Sequence, residues 1–189
     1  MTPKTLLIGR HGEKLNDPNI ADWDLPLTHT GISQCRMNGN SLVLEGIKPD
    51  FLLCSSSQRT QKSLDALISQ IFYEDTPPVL ELCGEDLYKA YNAQTMIDVL
   101  ADYLPEQSSC PLVMGHNPGT HHLAWHLSQK SQPHMVDAIH KDFPSSTLCV
   151  FNVSCGKWSD LSPQTCELIH IFSGKEKNVS RYKFLKPDM

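Results

Sequence analysis

The chain has 189 residues, of which 40% are hydrophobic and 20% are charged. This balance is typical of a soluble globular protein that is long enough to bury a core. The formal net charge of −5 favours neither nucleic-acid binding nor adsorption to a membrane, and no apolar run of roughly 18 residues predicts a membrane span. Because the first predicted strand begins about four residues from Met1, we expect no signal peptide. We predict one domain over residues 1–174 and a basic C-terminal tail over residues 175–189.

The cysteines and two of the histidines bear on compartment and metal binding. The seven cysteines are odd in number and include no Cys-x-x-Cys pair, so we expect reduced thiols and a cytoplasmic protein. His122 and His126 have the i,i+4 spacing of metal ligands, but no acidic residue between them and no third ligand completes a site. We therefore predict no bound metal.

The first predicted strand is the near-continuous apolar run at residues 5–8, which is typical of a strand buried on both faces of a sheet. It ends in Gly9-Arg10-His11-Gly12, so the strand carries a guanidinium and an imidazole at its carboxyl end. An acid-rich loop over residues 13–27 follows, in which two prolines make a continuous helix unfavourable. This loop is either a solvated surface segment or a border of a site at the strand end.

A helix is predicted from the Gly31 region to about residue 45, with Gly39 on its apolar face, which suggests a close approach to the sheet. The next apolar run, residues 51–54, predicts a second buried strand, and a serine-rich turn leads from it into another helix. Arg59 falls in the first turn of that helix. A cation is unfavourable at a helix N-terminus unless an anion is bound there, so Arg59 indicates an anion site.

The second half of the chain repeats the pattern of a strand that ends in a cationic or ionisable group. A weak strand at residues 79–82 and a helix at residues 93–104 lead to a buried strand that releases His116 into an Asn-Pro-Gly turn. Two late apolar runs, residues 148–151 and 166–172, predict an antiparallel pair because the segment between them is short and polar.

Strands that alternate with helices predict an α/β fold, a three-layer α/β/α sandwich with a mostly parallel sheet and antiparallel last strands. Right-handed connections place the carboxyl ends of the parallel strands on one rim, where Arg10, His11, Arg59 and His116 would converge. Two guanidiniums and two imidazoles form a pocket suited to a phosphoryl group, because arginine donates planar, charge-assisted hydrogen bonds to its oxygens.

Four segments in this order resemble the motifs of the histidine phosphatase superfamily, which is also called phosphoglycerate mutase-like. These are Arg10-His11-Gly12, Leu27-Thr28-x-x-Gly31, the serine-to-Arg59-Thr60 segment and Gly115-His116-Asn117-Pro118-Gly119. The last of them, together with Leu87-Tyr88-x-Ala90, is similar to the SixA-type phosphohistidine phosphatases. The resemblance covers roughly residues 6–151.

This resemblance implies a phosphoglycerate mutase-like fold and a phosphatase that needs neither a metal nor another cofactor. It assigns His11 as the nucleophile that forms a phosphohistidine intermediate. Arg10, Arg59 and a protonated His116 would stabilise the transition state, and Asn117 would also bind substrate. We expect the neighbouring arginines to lower the pKa of His11, which favours its neutral, attacking form.

The proton donor to the leaving group is left open by the sequence. Family members that hydrolyse ordinary esters use a carboxylate, often on the segment that matches Glu81, and the acid-rich loop offers Glu13, Asp17, Asp22 and Asp24 as alternatives. Phosphohistidine has a better leaving group than an alkyl ester and depends less on a strong acid. The donor is therefore one of these five residues, or there is none.

Three functions follow as hypotheses. The first is a SixA-type phosphatase whose partner is a phosphohistidine-bearing protein, because the region between Glu81 and Leu104 is too short for a mutase-type cover over the site. The second is a phosphomonoesterase for small phosphate esters. The third is a non-catalytic phosphate-binding module, which both arginines and both histidines argue against. No nucleic-acid or membrane partner is predicted.

Overall fold

The structure is a computed structural model that describes residues 3–173. Its centre is a six-stranded sheet in the order β3-β2-β4-β1-β5-β6. The strands are β1 (Lys4–Arg10), β2 (Phe51–Cys54), β3 (Leu80–Leu82), β4 (Pro111–Gly115), β5 (Leu148–Val153) and β6 (Cys166–Phe172). The predicted tail over residues 175–189 lies outside the described residues.

The sheet is mostly parallel, as predicted. Strand β4 pairs in parallel with both β1 and β2, and β2 pairs in parallel with β3. Strand β5 pairs antiparallel with β1 and with β6, so the last two strands run against the rest. The carboxyl ends of β1, β2 and β4 therefore meet at one edge of the sheet, next to the segment that leads into β5.

Helices cover both faces of this sheet. They are α1 (His29–Leu44), α2 (Gln58–Ile71), α3 (Asp86–Lys89), α4 (Ala93–Tyr103), α5 (Gly119–Ser128) and α6 (Pro133–Lys141), with single 3-10 turns at Asp22–Asp24 and Trp158–Asp160. Strand β1 shows why its sequence is continuously apolar. Leu6 and Ile8 join the core that packs under α4 and α5, whereas Leu7 joins the core under α1 and α2, and all three are fully buried.

The structure corrects one local expectation and adds one helix. A Cβ atom on Gly39 would lie 2.3 Å from the carbonyl oxygen of Leu67, so this glycine permits the close contact of α1 with α2 and not with the sheet. Helix α6 was not anticipated, because only Ile139 of its nine residues is buried and no apolar stripe marks it in the sequence.

Two further observations concern the expectations on compartment and membrane. All seven cysteines lie at described positions and are free thiols. No helix within residues 3–173 has the length and apolar character that crossing a membrane requires.

Candidate active site

A cavity of about 400 Å³ opens where the carboxyl ends of β1, β2 and β4 meet. It contains all five residues that the sequence predicts for the site, together with six others. The lining residues are Arg10, His11, Glu13, Lys14, Asp22, Arg59, Tyr88, Tyr91, His116, Asn117 and Ser145. The topology of the sheet thus brings together side chains that are far apart in the sequence.

His11 lies at the base of this cavity, directly after β1, and only 5% of it is exposed. Its backbone N–H donates to the Gly115 carbonyl at the end of β4, and its own carbonyl accepts from the Ser146 N–H at 2.8 Å. The ring Nδ1 lies 2.7 Å from the carbonyl oxygen of Gly12. Because a carbonyl can only accept, Nδ1 carries the proton and Nε2 carries the free lone pair.

The pKa of His11 is lowered from 6.5 to about 4. Burial of the imidazole is the largest cause, and the charges of Arg59, Arg10 and Lys14 add to it, against an opposing hydrogen bond to Gly12. The arginines act in the predicted direction, but desolvation contributes more than they do. His11 is therefore neutral at pH 7.

His116 follows β4 as predicted, and its ring centroid is 5.3 Å from that of His11. Its Nε2 lies 2.9 Å from the Ser55 hydroxyl and 3.4 Å from the Ser57 hydroxyl, whereas its buried Nδ1 has no partner among the described residues. Burial is the largest cause that lowers the pKa of His116 to about 2, followed by the charge of His11 when that ring is protonated and the charge of Arg59. His116 is therefore neutral in the ligand-free protein, and its protonated form in the transition state stays a prediction.

Arg10 is half-buried, and its guanidinium is fixed from one side. Nη1 donates to the carbonyl oxygen of Phe143 at 2.7 Å, and the buried Nε has no partner among the described residues. The Asn117 amide donates to the same carbonyl at 3.0 Å and accepts from the Thr120 hydroxyl. Asn117 therefore positions the segment that holds Arg10, and its predicted contact with substrate remains a prediction.

Arg59 lies in the first turn of α2 and is only 4% exposed. Its Nη1 donates to the backbone carbonyl of Asp22 and its Nη2 donates to the Asp22 carboxylate at 2.8 Å. The buried Nε has no partner within the described part of the chain. The Asp22 carboxylate thus pairs with Arg59, the cation from which the sequence analysis inferred an anion-binding site.

Asp22 places the acid-rich loop of residues 13–27 at the cavity. Of the two alternatives for this loop, the structure therefore supports a border of the site and not a solvated surface segment. Its carboxylate also accepts from Lys14 Nζ and, at 2.7 Å, from the Tyr88 hydroxyl. The hydrogen bonds from Lys14 and Tyr88, with the charge of Arg59, hold the pKa of Asp22 well below its usual range. Asp22 is therefore ionised throughout the neutral pH range.

The structure separates the five candidate proton donors. Glu13 and Asp22 line the cavity, whereas Asp17, Asp24 and Glu81 do not. Glu81 lies on β3, the edge strand, where its side chain is exposed. The Glu13 carboxylate accepts from the Thr28 hydroxyl at 2.9 Å, beside the N-terminus of α1.

Four lining residues were missed by the sequence analysis, namely Lys14, Tyr88, Tyr91 and Ser145. Tyr88 packs edge-on against His116 with ring centroids 4.9 Å apart. Ser145 precedes β5, and its place could have been inferred, because an antiparallel neighbour of β1 begins beside the carboxyl end of β1. The two tyrosines follow β3 in the chain, but no pattern in the sequence directs them to the site.

The paired histidines on α5 show no sign of metal binding among the residues described. His122 Nδ1 lies 2.7 Å from the carbonyl oxygen of Tyr91. Within residues 3–173 there is no cluster of three or more histidine, cysteine, aspartate or glutamate side chains that could hold a metal ion.

No family model matches the sequence, and a search of curated proteins finds no match. Solved structures do match. One from Nakamurella multipartitia, assigned as phosphohistidine phosphatase SixA, is 22% identical with a TM-score of 0.71, and the match covers 90% of this chain and 96% of that one. The protein histidine phosphatase SixA complexed with tungstate is 19% identical with a TM-score of 0.65, over 90% and 97% of the two chains.

A third match, assigned as an alpha-ribazole-5'-P phosphatase from Escherichia coli, is 16% identical with a TM-score of 0.59, over 90% and 97% of the two chains. At these identities the similarity establishes the fold. The chain has the fold seen in structures of the histidine phosphatase, or phosphoglycerate mutase-like, superfamily, which agrees with the resemblance stated from the motifs and confirms the predicted fold class. The matches to the two SixA-type structures each cover 90% of this chain.

Proposed function

We propose that the protein is a phosphohydrolase that transfers a phosphoryl group first to His11 and then to water. One observation carries this proposal. His11 presents an unprotonated Nε2 in the same cavity as Arg10, Arg59 and His116. Tungstate, which one structural neighbour binds, is a tetrahedral oxyanion like phosphate, and this supports an oxyanion site in the shared fold.

In the first step, Nε2 of His11 attacks phosphorus while the bond to the leaving group breaks. The low pKa of His11, about 4, keeps the attacking form fully populated at neutral pH. The guanidiniums of Arg10 and Arg59, which both line the cavity, would donate hydrogen bonds to the equatorial oxygens. Charge-assisted hydrogen bonds from such preorganised donors stabilise the transition state.

His116 would contribute a third donor. If Ser55 donates to Nε2, neutral His116 carries its proton on Nδ1, the ring nitrogen that has no other partner in the described residues. A phosphoryl dianion in the cavity would also raise the pKa of His116 and favour its protonation. In the second step, water attacks the phosphorus of phospho-His11, releases phosphate and frees Nε2.

The substrate that we propose is phosphohistidine on another protein, as in SixA-type phosphatases. The connection between β3 and α4 contains only the four-residue helix α3, so little chain is available there to cover the site. A phosphorylated side chain can then reach His11 from outside. Asp22, the carboxylate that pairs with Arg59, is ionised and has no proton to donate. Phosphohistidine suits such a site because its leaving group depends less on a proton donor than an alkoxide does.

The test is phosphate release from a phosphohistidine-bearing phosphotransfer domain. We expect rapid release by the wild-type protein, no release by His11→Ala, and wild-type rates for His29→Ala, which removes an exposed imidazole outside the cavity. Release that persists in His11→Ala would refute the role of His11. His11-dependent turnover of any phosphate compound would exclude a non-catalytic phosphate-binding module.

A phosphomonoesterase for small esters is the second candidate, because Glu13 lines the cavity and the volume of about 400 Å³ suits a small ligand. This function needs a proton donor for an alkoxide leaving group. If it is correct, Glu13→Gln lowers hydrolysis of an alkyl phosphate by about 100-fold, whereas Glu81→Gln, outside the cavity, leaves it unchanged. Equal rates for both variants would remove Glu13 from this account.

A further inference from the structure

The Asp22 carboxylate occupies the outer part of the cavity, above the buried Arg59. The Asp22 side chain is 48% exposed, whereas that of Arg59 is 5% exposed. Donors from three different segments hold the carboxylate there: Lys14 from the loop after β1, Arg59 from α2 and Tyr88 from α3. A carboxylate fixed from three sides, yet open to solvent, is a built feature of the entrance to the site.

This arrangement uses only part of the hydrogen-bonding capacity of Arg59. Asp22 accepts one hydrogen bond from each terminal nitrogen of the guanidinium, and each of these nitrogens carries a second N–H. Asp22 also cannot act as a general acid at neutral pH, because it is ionised. A role other than proton donation is therefore needed to explain an anion at the entrance of an anion-binding cavity.

The direction of attack places the leaving group near Asp22. His11 lines the cavity and is only 5% exposed, which places it on the buried side. Phosphoryl transfer needs the attacking and leaving groups roughly in line with phosphorus between them. The leaving group therefore points away from His11 and toward the solvent side, where Asp22 lies.

We propose that Asp22 is a specificity-determining residue that selects a cationic leaving group, the imidazolium ring of phosphohistidine. This inference rests on the function proposed above. The carboxylate accepts a hydrogen bond from the ring N–H of the substrate and pairs with its positive charge. The same carboxylate repels substrates that carry a second anionic group beside the phosphate.

The reaction balances without a proton from the protein. The phosphohistidine ring carries phosphorus on one nitrogen and a proton on the other. When the N–P bond breaks, its electron pair stays on the ring nitrogen, and the ring leaves as neutral imidazole while the bond from His11 Nε2 to phosphorus forms. An alkyl ester would instead leave as an alkoxide, which needs a proton that ionised Asp22 does not hold.

The experiment compares two substrates in the full-length protein, the phosphohistidine-bearing domain and 4-nitrophenyl phosphate, whose leaving group is not a cation. Asp22→Asn keeps the size of the side chain and removes its charge. Asp24→Asn is the matched control, because it removes the same charge from the same exposed 3-10 turn and lies outside the cavity. For each protein we take the ratio of kcat/KM for phosphohistidine to kcat/KM for the ester.

We expect Asp22→Asn to lower this ratio by at least about tenfold, the value of a charge-assisted hydrogen bond, and Asp24→Asn to leave it within about twofold of wild type. An equal fall for both substrates would overturn the inference, because Asp22 would then only orient Arg59, which both substrates need. A wild-type protein that hydrolyses the ester but not phosphohistidine would overturn the proposed function itself, and this inference with it.

Discussion

Replacing His11 by glutamine should make the free energy of unfolding less sensitive to mild acid. The pKa of His11 is about 4 in the folded protein against 6.5 for the ordinary imidazole. Below pH 6.5 the unfolded chain binds a proton that the folded protein does not bind. The folded state therefore loses stability as the pH falls from 6.5 toward 4. For these two pKa values the loss from His11 alone at pH 5 is about 2 kcal/mol.

Urea denaturation at pH 7.5 and at pH 5.0, followed by circular dichroism, measures this effect. The quantity compared is the change in unfolding free energy between the two pH values, so any loss of packing in His11→Gln cancels. Wild type should lose about 2 kcal/mol more than the variant. If the two proteins lose the same amount, the imidazole is not held neutral by its burial, and the argument for a nucleophile poised by the fold is wrong.

Two other substitutions test the site and its support. Arg59→Lys should lower kcat/KM for phosphohistidine by at least about 100-fold, because lysine cannot bind Asp22 and a phosphoryl group with one planar set of donors. The control is Arg36→Lys, on the exposed face of α1. If the two variants have the same kcat/KM, the role of Arg59 is contradicted. Gly31→Ala would place a Cβ atom 2.2 Å from the carbonyl oxygen of Glu13, whereas Gly156→Ala meets nothing within 4 Å. We expect the free energy of unfolding in urea to be lower for Gly31→Ala than for Gly156→Ala by at least about 2 kcal/mol. If the two variants have equal urea midpoints, the loop at Glu13 moves aside with no loss of stability, and the reasoning is wrong.

The sequence predicts where Arg10, His11 and His116 lie, because Arg10 ends β1, His11 follows it and His116 follows β4, and the apolar centres of both strands are buried. A continuous apolar run identifies such a strand, and parallel pairing then brings the strand ends together. The position of Arg59 follows in the same way from β2 and the turn into α2. In each case a local pattern determines where the side chain lies.

The outer part of the site could not be predicted in this way. Asp22 lies in a loop without periodicity, and its position depends on contacts with Arg59 and Tyr88, which come from distant segments of the chain. The sequence supplied four carboxylates in this loop with nothing to separate them. The low pKa of His116 in the ligand-free protein could not be predicted either, because the loss of solvation depends on how deeply the folded chain buries the ring.

Burial disfavours charged side chains in this site, whereas phosphate binding requires them. The pairing and protonation of the side chains lower the cost of burial and keep donors for phosphate. A guanidinium that is 4% exposed is costly unless it is paired, and Asp22 provides that pair for Arg59. Two imidazoles buried beside arginines avoid the cost by remaining neutral. Among the described residues, four buried side-chain nitrogens have no partner, and three of them belong to residues that line the cavity: Nε of Arg10, Nε of Arg59 and Nδ1 of His116, the fourth being Nδ1 of His170. We expect a phosphoryl group that enters to bind the two guanidiniums, so its binding offsets part of a desolvation cost that folding has already incurred.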